Sequence, residues 1–224
     1  MNVTSVRNVT PRPAPGGVAP VVDQLLDYRP FQPRHYADAV ATALAGAPAR
    51  LPGGLTLRVS GDQVEVGPDH FRLEVAPGVD RQAVLAGVLE YFLQTPAPVR
   101  GLLRQVKVEA GSWWTALFKS IYATGGNGTL TFFDGTAHLD AATFHHEMGH
   151  LVGQGLPGHE AAHPAGWPEA NAADGRSVSA YARTNWEENF AEFWRRYVQD
   201  RAGIRKTYPA QSALLERTLA ELPG

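Results

Sequence analysis

Two histidines four residues apart are the side chains of this sequence best suited to binding a metal ion. They are His146 and His150, in the run HEMGH. On a helix both imidazoles project from one face, and imidazole is a common ligand of zinc. Glu147 follows the first histidine, so its carboxylate can reach a water beside the metal without becoming a ligand. The pattern predicts one Zn²⁺ per chain, with Glu147 as the general base of a hydrolytic reaction.

The remaining histidines do not complete this site. The chain contains no cysteine, so a metal must be bound by His, Asp or Glu. A longer HExxHxxGxxH pattern would need a histidine where the chain has Leu156, although Gly153 fits. His159 and His163 lie in a stretch rich in Gly, Pro and Ala and are predicted to be exposed. His145 points about 100° away from its neighbour and is predicted to be solvated or hydrogen-bonded.

A second predicted helix, in SVSAYARTNWEENFAEFWRRYV, is the clearest source of a third ligand. Thr184 or Asn185 would begin it. Glu188 and Glu192 then share one face and present two carboxylates. Aromatic residues on the other side are predicted to face the core; they are Phe190, Phe193, Trp194 and Tyr197.

These glutamates also have a simpler interpretation. Glu187 or Glu188 could complete a capping box, and Glu192 could pair with Arg196 on a solvated face. A catalytic zinc site needs three protein ligands, however, and the metal helix supplies only two. We therefore assign Glu188 to zinc and assign Glu192 to a hydrogen bond with a ligand imidazole.

The two blocks HEMGH and SAYARTNWEENFAE resemble the catalytic domain of anthrax lethal factor and the related bacterial Pro-Pro endopeptidases. In that family a tyrosine precedes the glutamate ligand by seven residues, which corresponds to Tyr181 and Glu188, and the next glutamate aligns with Glu192. The resemblance implies that Tyr181 stabilises the oxyanion, a role that suits a phenol near a metal. Without this resemblance, a core or turn tyrosine would be the favoured interpretation of Tyr181.

The resemblance covers the chain from about Gly128 to Tyr197, and Ala182 stands where the family often has glycine. It implies an α+β zincin-like fold, a zinc-dependent endopeptidase with a peptide or protein substrate, and export from the cell. Two alternatives stay open. One is a catalytically silent, zinc-containing module that binds peptides, and the other is a toxin-type effector protease with one narrow protein substrate. Selectivity for proline rests on analogy.

The predicted fold is a small mixed sheet packed on the HEMGH helix and on the second, glutamate-bearing helix. Asp140 would cap the first of these helices, which would end near Gly153. Its apolar side would face the core with Phe144, Met148 and Leu151. Helices are also predicted in YADAVATALAGA and RQAVLAGVLEYFLQ, and an antiparallel meander in LTLRVS, DQVEVG and HFRLEV.

The glycine-flanked run GTLTFFDG, residues 128–135, is predicted to be an edge strand at the rim of the cleft. An extended peptide could pair with such an edge through main-chain hydrogen bonds. Trp113 and Trp114 could line a subsite, although large aromatic side chains lie more often in the core.

Length and charge limit the remaining possibilities. With 224 residues and a net charge of −2, the chain suits one globular domain and offers no basic surface for nucleic acid. Residues 1–20 are predicted to form a flexible Pro/Gly-rich tail, and residues 21–224 a single catalytic domain. No apolar run reaches the roughly 18–20 residues that cross a bilayer, and the start lacks the pattern of a secretory signal. We therefore expect a soluble protein, with its oligomeric state open.

Overall fold

The computed structural model of this protein describes residues 35–111 and 123–222. The predicted tail at residues 1–20 lies outside the described residues, as do Trp113 and Trp114. The described chain has a mixed α+β architecture, as the sequence predicts. None of its helices combines the length and the apolar character needed to span a membrane.

A seven-stranded mixed sheet forms the first half of the described structure. Its spatial order is β1-β2-β3-β4-β5-β7-β6, antiparallel from β1 to β4, parallel from β4 through β5 to β7, and antiparallel between β7 and β6. The strands are β1 (Ala49–Arg50), β2 (Thr56–Ser60), β3 (Gln63–Val66), β4 (Asp69–Val75), β5 (Gln105–Val108), β6 (Ala123–Gly126) and β7 (Thr129–Phe132).

Alternation along the strands decides which face of the sheet is buried. Residues of one face, such as Leu57, Leu73 and Leu130, are fully buried, because successive side chains of a strand point to opposite sides. The other face is polar and includes Arg72, which contacts Glu74 at 3.2 Å. Helices α1 (Ala37–Leu44), α2 (Arg81–Gln94) and α3 (Ala97–Arg100) lie in the part of the chain that forms this sheet. The sequence correctly predicts the β2–β4 meander, α1 and α2.

Helix α4 (Ala141–Gly155) contains HEMGH and ends two residues later than predicted. The Asp140 side chain caps it by accepting from the Thr143 N–H at 2.9 Å. Its apolar side is buried as expected, through Phe144, Met148 and Leu151. A short hairpin of β8 (His159–Glu160) and β9 (His163–Pro164) follows, and then helix α5 (Trp167–Asp174).

Helix α6 (Trp186–Gln199) carries the second pair of predicted site residues. Asn185 caps it by accepting from the Glu188 N–H at 2.8 Å, which selects Asn185 over Thr184 as the first boundary residue. Two helices complete the described chain, α7 (Arg201–Thr207) and α8 (Pro209–Ala220). The aromatic side of α6 is buried, and its side chains are Phe190, Phe193, Trp194 and Tyr197.

Helices α4 and α6 pack closely at Gly149. A Cβ atom on Gly149 would lie 2.7 Å from the Cα of Ala191, and one on Gly153 would collide with the Ala162 carbonyl. Real Cβ atoms do not tolerate such contacts, so Gly149 permits the close approach of α6 and Gly153 permits that of the β8–β9 hairpin. This close packing brings both candidate ligand helices to one cleft.

The predicted edge strand is the principal correction to the fold. Strand β7, within GTLTFFDG, pairs with β5 on one side and with β6 on the other, so it is an interior strand. Among the described residues β6 occupies that edge of the sheet. The sheet is therefore larger than the one expected, because β1, β5 and β6 extend it.

Candidate metal centre

Helix α4 and helix α6 bring the three predicted ligands together. Oε2 of Glu188 lies 3.1 Å from Nε2 of His146 and 3.5 Å from Nε2 of His150. The candidate ligand atoms of these three residues all lie within 4.8 Å of one another. Two imidazole nitrogens and one carboxylate oxygen form a donor set that zinc accepts.

The environment of Glu188 fits a cation at this position. Its Oε2 atom is buried, and the Nε2 atoms of His146 and His150 lie beside it at 3.1 Å and 3.5 Å. A buried carboxylate is costly unless a cation compensates it, and either a protonated imidazole or a metal ion bound by these residues can do so. Burial also opposes ionisation, but the imidazoles of His146 and His150 outweigh burial and hold the pKa of Glu188 well below its usual range. The carboxylate is therefore ready to bind a metal as an anion.

Glu192 orients His146 from the side opposite the cluster. Nδ1 of His146 donates to Oε1 of Glu192 at 2.9 Å, which leaves Nε2 directed at the other ligand atoms. Nη2 of Arg195 donates to the second oxygen of Glu192 at 2.8 Å. All three side chains are almost fully buried. The structure contains the hydrogen bond predicted between Glu192 and an imidazole of the candidate site, and the arginine that pairs with Glu192 is Arg195 rather than Arg196.

The same contacts alter the protonation of His146. Burial lowers the pKa of its imidazole, but hydrogen bonds with Glu188 and Glu192 prevail and raise that pKa to about 9. In the metal-free protein the imidazole is thus held as a cation between two carboxylates. A zinc ion would have to displace this proton, so metal binding at this site competes with protons.

Glu147 faces the cleft next to the ligand cluster but is not one of its three members. The residue is 8% exposed, and burial raises the pKa of its carboxyl although the imidazoles of His146 and His150 act in the opposite direction. The Gly125 N–H of strand β6 also donates to this carboxylate. A carboxylate with a raised pKa is a stronger base, which suits proton transfer.

Tyr181 lies at the open side of the cluster, in the 3-10 turn Tyr181–Arg183. Its ring centroid is 5.8 Å from that of His146, and the residue is 54% exposed. Burial of part of the ring, with Glu188 as hydrogen-bond partner, raises the pKa of its phenol to about 12. The phenol therefore keeps its proton and can act as a donor. Ala182 has no positive φ, so the turn does not require glycine there.

A cleft of about 520 Å³ surrounds these groups. Residues of α4, strand β6, α6 and the Tyr181 turn line it. Predicted site residues account for much of its lining, and the residues not predicted are Ala123, Thr124, Gly125, Ala142, Thr143, Gln154, Glu187 and Arg195.

Sequence reasoning missed β6 and Arg195. The run ATGG does not alternate apolar with polar residues, so it resembles a turn and not a strand. Gly125 is nonetheless required there, because a Cβ at this position would collide with the Glu147 carbonyl. Arg195 could have been found from its i,i+3 spacing to Glu192 on the same helix.

The other histidines take different positions from the ligand pair. His145 is fully buried, and its Nε2 donates to Oε1 of Gln94 at 3.2 Å, so the hydrogen-bonded alternative is correct. Burial lowers its pKa to about 4. His159 is exposed, as predicted. His163 is only 4% exposed, which corrects the expectation of a solvated side chain, and its Nδ1 lies 3.0 Å from the Pro164 carbonyl.

Comparison of the chain with protein-family models, with curated proteins and with solved structures gave no match. The candidate site is therefore defined by its own geometry. That geometry consists of a two-histidine, one-glutamate group, a neighbouring carboxylate with a raised pKa, and a protonated phenol on the open side of the cluster.

Proposed function

We propose that this protein is a zinc-dependent endopeptidase with a zincin-like catalytic domain. The observation that carries the proposal is the convergence of His146, His150 and Glu188 on one point of a cleft that Glu147 and Tyr181 also face. Binding a metal requires the first three residues only. The presence of an acid–base group and a hydrogen-bond donor at the same point favours catalysis over storage or structural binding of the ion.

Zinc held by the three ligands would polarise the substrate carbonyl and lower the pKa of water to about 7. Glu147 accepts the proton of the attacking water and then transfers it to the departing amine. The burial that raises the pKa of Glu147 supports both steps, since the group must hold the proton between them. Tyr181 donates its phenol proton in a hydrogen bond to the carbonyl oxygen, on which negative charge develops.

The shape of the cleft supports an extended peptide as the substrate. Strand β6 lines the cleft through Ala123, Thr124 and Gly125, and it is the edge of the sheet in the described part of the chain. A peptide segment could pair with this edge and place one of its carbonyl groups before Glu147. We therefore expect the substrate peptide to pair with residues 123–126 and not with GTLTFFDG.

The proposal is tested by zinc content and by peptide cleavage measured together. The wild-type protein is expected to hold one zinc per chain by elemental analysis and to cleave members of a mixed peptide library. Glu188→Gln should lose most of the zinc, because it removes the charged ligand. Glu147→Gln should keep the zinc and lose about 10²- to 10⁴-fold of the cleavage rate. Glu169→Gln, an exposed carboxylate on α5, is the control that should match the wild type.

The outcomes separate the candidate functions. Bound zinc with no cleavage of any library member would favour the peptide-binding module or a protease restricted to one protein. Failure to take up zinc after purification without chelators and after reconstitution would contradict the proposal.

A further inference from the structure

Two side chains form hydrogen bonds with the backbone of the turn that carries Tyr181. The N–H of Ala182 donates to Oγ of Ser179 at 3.0 Å, and the carbonyl of Ala182 accepts from Nδ2 of Asn189 at 2.9 Å. Ala182 is 1% exposed, whereas Tyr181 next to it is 54% exposed. The exposed phenol of Tyr181 is therefore adjacent in sequence to a residue, Ala182, whose backbone N–H and carbonyl are both hydrogen-bonded to side chains.

Asn189 is itself fixed by buried partners. Its Oδ1 accepts from Nε1 of Trp167 at 2.9 Å and from Nε2 of Gln211 at 3.2 Å. Trp167 and Gln211 are fully buried, and Asn189 is 2% exposed. Two donors on one side of the amide and a carbonyl acceptor on the other determine which way the amide group points. Nδ2 must then face Ala182.

Asn189 also follows Glu188 directly on helix α6. Glu188 points into the cleft and Asn189 into the core, so one turn of helix controls both a metal ligand and the Tyr181 turn. We propose that Asn189 is a positioning residue for Tyr181, whose buried amide holds the Ala182 carbonyl and keeps the phenol beside the ligand cluster. The kinetic part of this inference rests on the proposed function, and its structural part does not.

Two variants of Asn189 remove the donor to Ala182. Asn189→Asp keeps oxygen acceptors for Trp167 and Gln211 but, when ionised, offers the Ala182 carbonyl no proton. Asn189→Leu has a similar volume and cannot donate in any protonation state, so it covers the case of a protonated aspartate. Gln211→Met is the matched control, because it removes a buried partner of Asn189 and leaves the bond to Ala182 in place.

The structural measurement is amide hydrogen exchange by mass spectrometry. In both Asn189 variants, peptides covering residues 180–185 should exchange at least about tenfold faster, since local opening becomes easier. Peptides from α4 should remain as in the wild type, and Gln211→Met should leave residues 180–185 unchanged. Unchanged exchange at residues 180–185 in folded Asn189→Asp and Asn189→Leu would overturn the inference. If both variants fail to fold, Ser179→Ala, which frees the Ala182 N–H, must give the same local acceleration or the inference fails.

The kinetic measurement separates positioning from general stability. Asn189→Asp should keep its zinc and its KM and lose about tenfold or more in kcat, because misplacing a catalytic group by an ångström is that costly. The double variant of Asn189→Asp and Tyr181→Phe should lose little more kcat than Tyr181→Phe alone, since both changes act through one phenol. Fully additive losses would overturn the inference. If the wild type cleaves nothing, the proposed function fails and the exchange experiment still decides the role of Asn189.

Discussion

Glu147 and Tyr181 face the candidate metal-binding group of His146, His150 and Glu188 without belonging to it, and their two environments differ. Glu147 is buried against strand β6, and this burial raises the pKa of its carboxyl. Tyr181 is half-exposed in a turn, and its raised phenol pKa keeps the proton on the oxygen. One group is thus suited to move a proton and the other to donate a hydrogen bond without losing it.

Tyr181→Phe should reduce kcat about 10²-fold, as expected when one donor to a developing oxyanion is removed. KM and zinc content should change little, because the ring and the ligand group remain. The measurement is steady-state cleavage of one library peptide, with zinc determined on the same sample. A change in KM alone, with kcat preserved, would assign the phenol to substrate binding and not to the transition state.

The buried His145 predicts a pH dependence of stability in the metal-free protein. Its pKa is about 4 in the folded chain, below the ordinary value of 6.5, because burial disfavours the cation. The unfolded chain therefore takes up this proton first as the pH falls, so His145 lowers the free energy of unfolding between pH 6.5 and pH 4. The full effect, present below pH 4, is up to about 3 kcal/mol.

The matched variant is His145→Gln, which does not titrate and can still contact Gln94. Urea unfolding of the chelated wild type and variant at pH 7 and pH 4 should show the wild type losing more stability on acidification. Equal losses would mean that His145 is protonated in the folded chain or is not buried.

At the scale of secondary structure elements, the site depends on how closely α4 and α6 pack. His146 and His150 lie on the first helix and Glu188 on the second, so the distance between the helices sets the distances between ligand atoms. Gly149 is the position at which the helices nearly touch. Any side chain there must push the helices apart.

Gly149→Ala is expected to lower the free energy of unfolding by about 1–3 kcal/mol, because the added methyl group overpacks the contact with Ala191. It should also weaken zinc binding about tenfold or more, since the ligands are displaced with the helix. Gly101→Ala is the control, because a Cβ there meets nothing within 4 Å. Competition with a zinc chelator and urea unfolding measure the two effects. If Gly149→Ala lowered the free energy of unfolding but left the zinc affinity unchanged, the ligand geometry would not depend on this helix contact.

At the scale of the whole molecule, zinc should stabilise the folded chain, because the three ligands converge only after folding. At a free zinc concentration of 100 times Kd the gain is about 2.7 kcal/mol. For a chain of this size that gain corresponds to a rise in Tm of roughly 5–10 °C. Thermal unfolding with a chelator and after zinc is restored measures the difference. Glu188→Gln should show little of this rise, and an equal rise in that variant would remove Glu188 from the ligand set.

The local sequence determined much of this protein. The i,i+4 spacing of His146 and His150, the Asp140 cap and the apolar positions of α4 all act within one helix, so they can be read without the fold. The same holds for α6, whose aromatic residues and glutamates lie on separate faces. Composition and strand alternation likewise predicted a mixed α+β chain and the β2–β4 meander.

Tertiary structure alone decided the rest, because those features depend on residues far apart in the chain. Strand β6 carries no alternation of its own, and it becomes the cleft wall only by pairing with β7 and touching Glu147. The burial of His163 depends on packing around the β8–β9 hairpin and not on its loop-like composition. Glu188 meets the two histidines of α4 because Gly149 allows α4 and α6 to approach each other. The distances between the Glu188 carboxylate and the two imidazoles therefore depend on helix packing and not on sequence spacing.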